Sequence, residues 1–214
     1  MTSEAQIKDS MDRMYRWTRH VYDLTRKYYL LGRDHLIENL RPAPGENVIE
    51  VGCGTARNLV KMAKKYPQAR FFGIDASDEM LKTARHNLEK QDLSSEVILS
   101  QAFAQSFAPQ APPDKIVFSY SLSIIPPWRE AIDHALGLLK PGGTIHVVDF
   151  GGQEGLPAWF RKILFFWLSL FHVYYKPEIL EHFRTLEKQK QGALTYKPLC
   201  KGYAFYVVFQ KAGT

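Results

Sequence analysis

From Asn47 onward the chain alternates short, nearly continuous apolar runs with segments whose apolar residues recur at helical spacing. "NVIEVGCG" reads as a strand running into glycines, and Ala56 to Lys65 as the helix after it. "ARFFGIDAS" is a second strand, Glu79 to Gln91 a second helix, and "SEVILSQA" a third strand. After the proline-rich "APQAPP" come "DKIVFSYSL" as a fourth strand and a helix from about Trp128 to Leu139. "KPGGTIHVVDF" supplies a turn and a fifth strand, and "ALTYKPL" and "AFYVVFQKA" two more near the C-terminus. Ahead of them, Ala5 to Leu40 has helical spacing broken near Gly32, and "RPAPGEN" follows as a loop.

Strands that are apolar throughout and separated by helices predict an α/β fold. The expectation is a mostly parallel seven-stranded sheet with helices on both faces. In such sheets ligands bind beyond the carboxyl ends of the strands, where strand order reverses. A length of 214 residues fits one domain. Within it, residues 1–40 form a helical cap and 151–190 a lid-like insertion after the fifth strand.

The insertion carries "FRKILFFWLSLFHVYYKPE", Phe160 to Glu178, the most apolar stretch of the chain. Between Lys162 and Lys176 about thirteen residues, as a helix, cover roughly 20 Å, short of the ~30 Å hydrocarbon core. A membrane span is therefore excluded for this stretch, and two readings stay open: a buried core helix, or a surface that meets lipid. Charge bears on that choice. The net charge is +6, and Arg13, Arg16, Arg19, Arg26, Lys27 and Arg33 crowd the head, interleaved with Tyr15, Trp17, Tyr22, Tyr28 and Tyr29. Cations and aromatics together suit an anionic membrane surface, although a solvated helix face has the same composition. Cys53 and Cys200 are too few for a disulfide framework and lack metal-ligand spacing, so no metal is expected and a reducing, cytoplasmic setting is. No secretory leader is read after Met1.

The first strand ends in "EVGCGTARN". A dinucleotide fingerprint would need glycine where Arg57 stands, so that fingerprint fails. Acidic-x-Gly-x-Gly-x-small instead resembles the signature loop of class I S-adenosylmethionine-dependent methyltransferases, with Ala56 in place of the usual third glycine. "GIDAS" places Asp75 to accept both ribose hydroxyls, "LSQAFAQSF" falls where the family grips adenine, with Gln101 replacing the usual Asp, and "LLKPGGTIHVVDF" matches the turn before the fifth strand. The resemblance implies a Rossmann-like fold and S-adenosyl-L-methionine as cofactor. It assigns Glu50, Gly52, Cys53, Gly54 and Asn58 to the loop that holds it. Asp75, Ala76 and Met80 come from the second strand and helix, and Gln101, Ala102, Phe103 and Ser119 from the next two strand ends. Tyr22 and Arg33 would close over it from the head.

"MDRMYRWTRHVYDLTRKYYLLGRDHLI", Met11 to Ile37, resembles the N-terminal signature of the betaine-lipid methyltransferases, and more loosely the quinone-biosynthesis and phosphatidylethanolamine methyltransferases. The first resemblance implies successive N-methylations of diacylglycerylhomoserine to the trimethylated betaine lipid. It also implies a peripheral place at the membrane and a possible partner in the enzyme that makes the homoserine lipid. "IIPPW" lacks the acceptor residue of nucleic-acid amino-methylating enzymes, since Ile125 stands in that place; no nucleic-acid substrate is expected, and the stretch reads as a turn into a helix.

Asp149 and Tyr120, at the ends of the fifth and fourth strands, are the candidates to face the methyl acceptor, with Tyr22 from the head. Asp149 reads equally well as a cap on the following loop. His146, inside a strand, reads as a packed or surface histidine rather than as a base. Tyr22, Tyr28 and Tyr29 would cradle a quaternary ammonium by cation–π attraction, or pack as helix aromatics. Arg33 would pair with the carboxylate of either the cofactor or the headgroup. The rivals are a quinone-type methyltransferase and a non-catalytic, cofactor-binding adaptor for membrane or RNA.

Overall fold

A computed structural model describes residues 30–169 and 175–213. Seven strands form one sheet: β1 (Asn47–Val51), β2 (Arg70–Asp75), β3 (Val97–Gln101), β4 (Lys115–Ser119), β5 (Thr144–Phe150), β6 (Gly192–Leu199) and β7 (Ala204–Lys211). Their order is β3-β2-β1-β4-β5-β7-β6. The first five pair in parallel, while β7 runs antiparallel to both β5 and β6. The expected α/β architecture is present, and strand order reverses between β1 and β4.

The helices are α1 (Arg33–Leu40), α2 (Arg57–Lys65), α3 (Asp78–Glu89), α4 (Trp128–Leu138), α5 (Ala158–Ser169) and α6 (Glu178–Lys188). Alternation along each strand sends neighbouring side chains to opposite faces. Val48, Phe71, Val97 and Val148 therefore join one core with α1, α2 and α3. Ile49, Ile74, Ile116 and Val147 join the other, with α4 and α6. Between β3 and β4 the chain has no helix, residues 102–114 forming a loop, and Ile98 on the edge strand is 57% exposed. Among the described residues no helix is long and apolar enough to cross a membrane.

Two expectations change. α1 starts directly after Gly32, at φ 87°, while the expected cap before Leu30, and with it the expected break, lies outside the described residues. The lid-like insertion drawn over 151–190 is too long. Its last third, α6, buries Ile179, Phe183 and Leu186 against α4 and β7 and is ordinary core. Its heptad-like spacing, 179-183-186, was present in the sequence but was absorbed into the apolar stretch preceding it.

The remaining insertion is held at both ends. At its entry, Gly151, Gln153 and Gly155 donate N–H groups to the carbonyls of Tyr203, Gly202 and Lys201 in the β6–β7 turn, at 2.9, 2.8 and 3.1 Å. At its exit, Lys176 Nζ donates to the Leu122 and Ile125 carbonyls at 3.0 and 3.3 Å.

Phe183 is fully buried, its ring 5.5 Å from that of Phe209. Phe183→Ala is expected to cost about 3–5 kcal/mol of unfolding free energy, checked by urea denaturation. A cost under about 1 kcal/mol would return α6 to the lid.

Candidate functional site

β1 ends at Val51, and the chain turns around Gly52 and Gly54, with φ of 72° and 53°. A Cβ at Gly52 would lie 2.7 Å from that of Ser121, so only glycine lets the turn pass this close to the segment after β4. The N–H groups of Gly52 and Cys53 both donate to the Ile74 carbonyl, at 2.9 and 3.0 Å. Asp75 ties the turn from the other side: Oδ2 accepts the Gly54 N–H at 2.8 Å, and Oδ1 the Ser77 N–H at 2.9 Å. Ser77 in turn caps α3 by accepting from the Met80 N–H at 3.3 Å. Ala56 is buried at φ 61°, a conformation that costs a non-glycine residue roughly 1 to 2 kcal/mol.

Two recesses meet at Gly52 and Gly54. The first, about 650 Å³, lies over the switch point of the sheet. Its walls are Asp75 and Ala76 after β2, Ala102, Phe103, Ala104 and Gln105 after β3, and Ser121, Ile124, Ile125, Pro126 and Pro127 after β4. The second is lined by Arg33, Glu50, Cys53, Asn58 and Ser119, joined by Thr55, Arg57, Thr83 and Asn87.

The polar groups fit an amino-acid nucleoside. Glu50 Oε1 accepts from Asn58 Nδ2 at 2.7 Å, while Asn58 Oδ1, Ser119 Oγ and Ser121 Oγ are buried with no partner among the described residues. Unsatisfied buried groups are costly, so a polar ligand here recovers free energy. S-adenosylmethionine would set its amino-acid end near Asn58, Ser119 and Arg33, and its ribose near Asp75. Arg33 is buried and donates Nε to the Leu30 carbonyl at 3.3 Å. Burial, with Asp75 and Glu50 nearby, pushes the Cys53 thiol well above its usual pKa, which rules it out as a nucleophile at neutral pH.

Other expected residues are placed differently. Gln101 turns away from the first recess, its Nε2 donating to the Ala76 carbonyl at 3.0 Å; Gln105, four residues on, lines the recess instead. Met80 is buried in the first turn of α3 and lines neither recess. The Tyr120 hydroxyl donates to the Leu31 carbonyl, and its ring packs edge-on to Phe150, so its backbone but not its hydroxyl faces the cleft. Asp149 is buried with Oδ2 accepting from the Ser123 N–H at 3.0 Å and Oδ1 from the Phe150 N–H at 2.8 Å. It fastens the loop after β4 to the end of β5, rather than capping the loop that follows β5. His146 is packed, between Thr144 Oγ1 at 3.0 Å and the Tyr206 hydroxyl at 2.7 Å. Tyr22, Tyr28 and Tyr29 lie outside the described residues.

Sequence reasoning passed over Ser121, Gln105 and Gln153. Gln153 is fully buried at φ 60°, and neither side-chain amide atom has a partner. Its only sequence signal was its place three residues after β5.

Asp75→Asn leaves an amide nitrogen facing one of two N–H donors. S-adenosylmethionine affinity is expected to fall roughly 10- to 100-fold, from the 1.5–3 kcal/mol of hydrogen bonds to a charged group, read by calorimetric titration. Two buried groups also give opposed pH dependences. Burial raises the Asp149 pKa from 3.8 to about 6, against the pull of its N–H donors and of Lys176. The folded state thus holds a proton that the unfolded chain releases, and this contribution to stability is lost as pH rises from about 4 through about 6. Burial, helped by Lys115, lowers the His146 pKa from 6.5 to about 3, so its contribution is present above about pH 6.5 and lost as pH falls. Between about pH 4 and about pH 6, Asp149→Asn is expected to make stability rise more steeply with pH and His146→Gln to make it rise less steeply, each by on the order of 2–3 kcal/mol across the window. Urea denaturation across that range checks both slopes.

Comparison with known proteins agrees with this geometry. Residues 48–143 match the family model described as a methyltransferase domain. The chain is similar to the demethylmenaquinone methyltransferase of Listeria welshimeri, 30% identical over 135 residues, covering 62% of this chain and 56% of that protein. It is similar over 100 residues to the trans-aconitate 2-methyltransferase of an Azoarcus species, 32% identical, covering 47% of this chain and 37% of that one. The chain thus spans 56% of the length of the first of these relatives and 37% of the second. In fold it is similar to an O-methyltransferase family 2 protein from Planctomyces limnophilus, with TM-score 0.68 and 19% identity, covering 92% of this chain and 62% of that one. Glycine turn, Asp75 and switch-point cleft all fall on the matched segment, residues 48–143, which is similar to methyltransferase domains, and the recess fits S-adenosylmethionine as methyl donor.

Proposed function

We propose that the chain transfers methyl groups from S-adenosylmethionine to the amine of a lipid headgroup, converting diacylglycerylhomoserine stepwise to the trimethylated betaine lipid. The observation that carries this reading is the fastening of the apolar insertion to the cleft. Lys176, where the insertion returns, grips the carbonyls of Leu122 and Ile125, and Ile125 is itself a wall of the cofactor recess. An acceptor with an apolar body would lie against the insertion while its polar head reached the cleft. Gln153, buried at the insertion's entry with unpaired amide groups, is a suitable contact for the carboxylate of such a head.

The cofactor supplies an electrophilic methyl on a sulfonium. An amine brings its own lone pair once it has lost a proton, and water can take that proton. What the chain must provide is position and a dry cleft. This suits a site where Tyr120 and Asp149 are committed to backbone partners. The head signature of Met11 to Ile37 supports the same acceptor, though only its last residues lie among those described. A peripheral place at an anionic membrane, and a partnership with the enzyme that makes the homoserine lipid, belong to the same proposal.

A second reading is favoured by a specific finding, the 30% identity to a demethylmenaquinone methyltransferase. A quinone precursor is also apolar and would use the same insertion. The trans-aconitate relative carries a different acceptor in its name, so the shared core alone does not choose.

The test is a methyl-transfer assay with labelled S-adenosylmethionine, offering diacylglycerylhomoserine, phosphatidylethanolamine and a demethylated quinone in mixed micelles. Label in the mono-, di- and trimethylated homoserine lipid is expected. Label only in the quinone establishes the second reading, and no transfer to any acceptor leaves a cofactor-binding adaptor.

A further inference from the structure

α5 presents an apolar stripe to solvent. Trp159, Ile163 and Phe166 are 66%, 61% and 68% exposed. At spacings of four and three residues they share one face of the helix. Leu164, on a different side, is partly buried against the core. Three large side chains left outside on one helix are unlike the rest of the described surface, where the other exposed large apolar residues, Leu31, Ile98 and Tyr196, sit singly on separate elements. Solvated apolar area of this kind is unfavourable by about 25 cal/mol per Å² unless something covers it.

The charge pattern says what covers it. From Ala158 to Lys176 the sequence holds no Asp or Glu, while Arg161, Lys162 and Lys176 are basic. Lys162 is exposed and Arg161 half-buried, next to the stripe on the same helix. A second copy of the chain, meeting this face about a two-fold axis, would bring like charges together around the apolar contact. Anionic lipid headgroups would neutralise them, with the stripe entering the boundary between headgroup and acyl chain. The 12 described residues of α5 cover about 18 Å, and a helix with one apolar stripe beside basic residues is suited to lying in a membrane surface.

We propose that α5 is a membrane-docking helix, with Trp159, Ile163 and Phe166 entering an anionic bilayer and Arg161 and Lys162 on its headgroups. This rests on the reading that the acceptor is a lipid, and adds where the protein meets the membrane. The clasps give the docked helix a consequence. The insertion that carries α5 is bonded at its entry to the β6–β7 turn, and Lys176, further along it, is bonded to the loop after β4, whose Ile125 is a wall of the recess. Acceptor heads in the bilayer would then reach the cofactor without leaving the membrane.

The experiment is flotation of the full chain with vesicles of phosphatidylcholine alone and of phosphatidylcholine with phosphatidylglycerol, at low and high salt. The wild type is expected to float with the anionic vesicles and to lose binding as salt rises. Replacing Trp159, Ile163 and Phe166 together by serine is expected to lower partitioning at least tenfold on both compositions. Arg161→Gln with Lys162→Gln is expected to lower it roughly tenfold on the anionic vesicles only. Both variants should keep the wild-type melting temperature and S-adenosylmethionine affinity. If the triple change disturbs folding, the single exposed change Ile163→Glu reads the same face. Wild-type binding retained by the stripe variants, or no wild-type binding to either vesicle, overturns the proposal. So does a wild-type dimer that ignores vesicles and that the triple change dissolves. Transfer assayed in detergent micelles separates the two ideas: vesicle docking without transfer to any lipid amine keeps the docking helix and removes the substrate reading.

Discussion

One carboxylate holds the site together. Asp75 receives the Gly54 N–H on one oxygen and the Ser77 N–H on the other, joining the turn after β1 to the turn after β2. The glycine turn has no side chains with which to fix itself, and two of its N–H groups already converge on the Ile74 carbonyl. Without an acceptor for Gly54, that turn would leave an unsatisfied donor at the floor of the cleft. Ser77, placed by the other half of the same carboxylate, caps α3. The geometry that shapes the cofactor recess thus also starts the helix that packs behind it.

A second carboxylate does similar work one strand pair away, in a drier place. Asp149 joins the end of β5 to the loop after β4 through Ser123, and its burial raises its pKa toward neutrality. Lys176 closes the same loop from outside through two carbonyls. The loop carrying Ile124, Ile125, Pro126 and Pro127 is held from two sides while its own residues make the wall of the recess. Charged groups that look available for chemistry in the linear sequence are used here to fix backbone.

That arrangement bears on how a methyl acceptor is handled. The polar atoms with unmet bonds cluster at strand ends, at Asn58, Ser119, Ser121, Ser123 and Gln153. Apolar surface is concentrated instead on the insertion. A cofactor with an amino-acid end and an acceptor with an apolar body divide naturally between the two.

The strands and the glycine turn were legible in the sequence because each is a local pattern. A strand buried on both faces must be apolar throughout, and a tight turn against a neighbouring segment must be glycine. Strand order, and with it the place of the cleft, depends on pairings between distant segments. Tertiary structure alone decided the directions of the side chains at strand ends. Tyr120 finds its partner 89 residues away at Leu31, and Asp149 finds Ser123 across 26. No spacing rule tells such a group whether it faces ligand or backbone. The same holds for α6, whose apolar face looked like more of the insertion until β7 and α4 were in place to receive it.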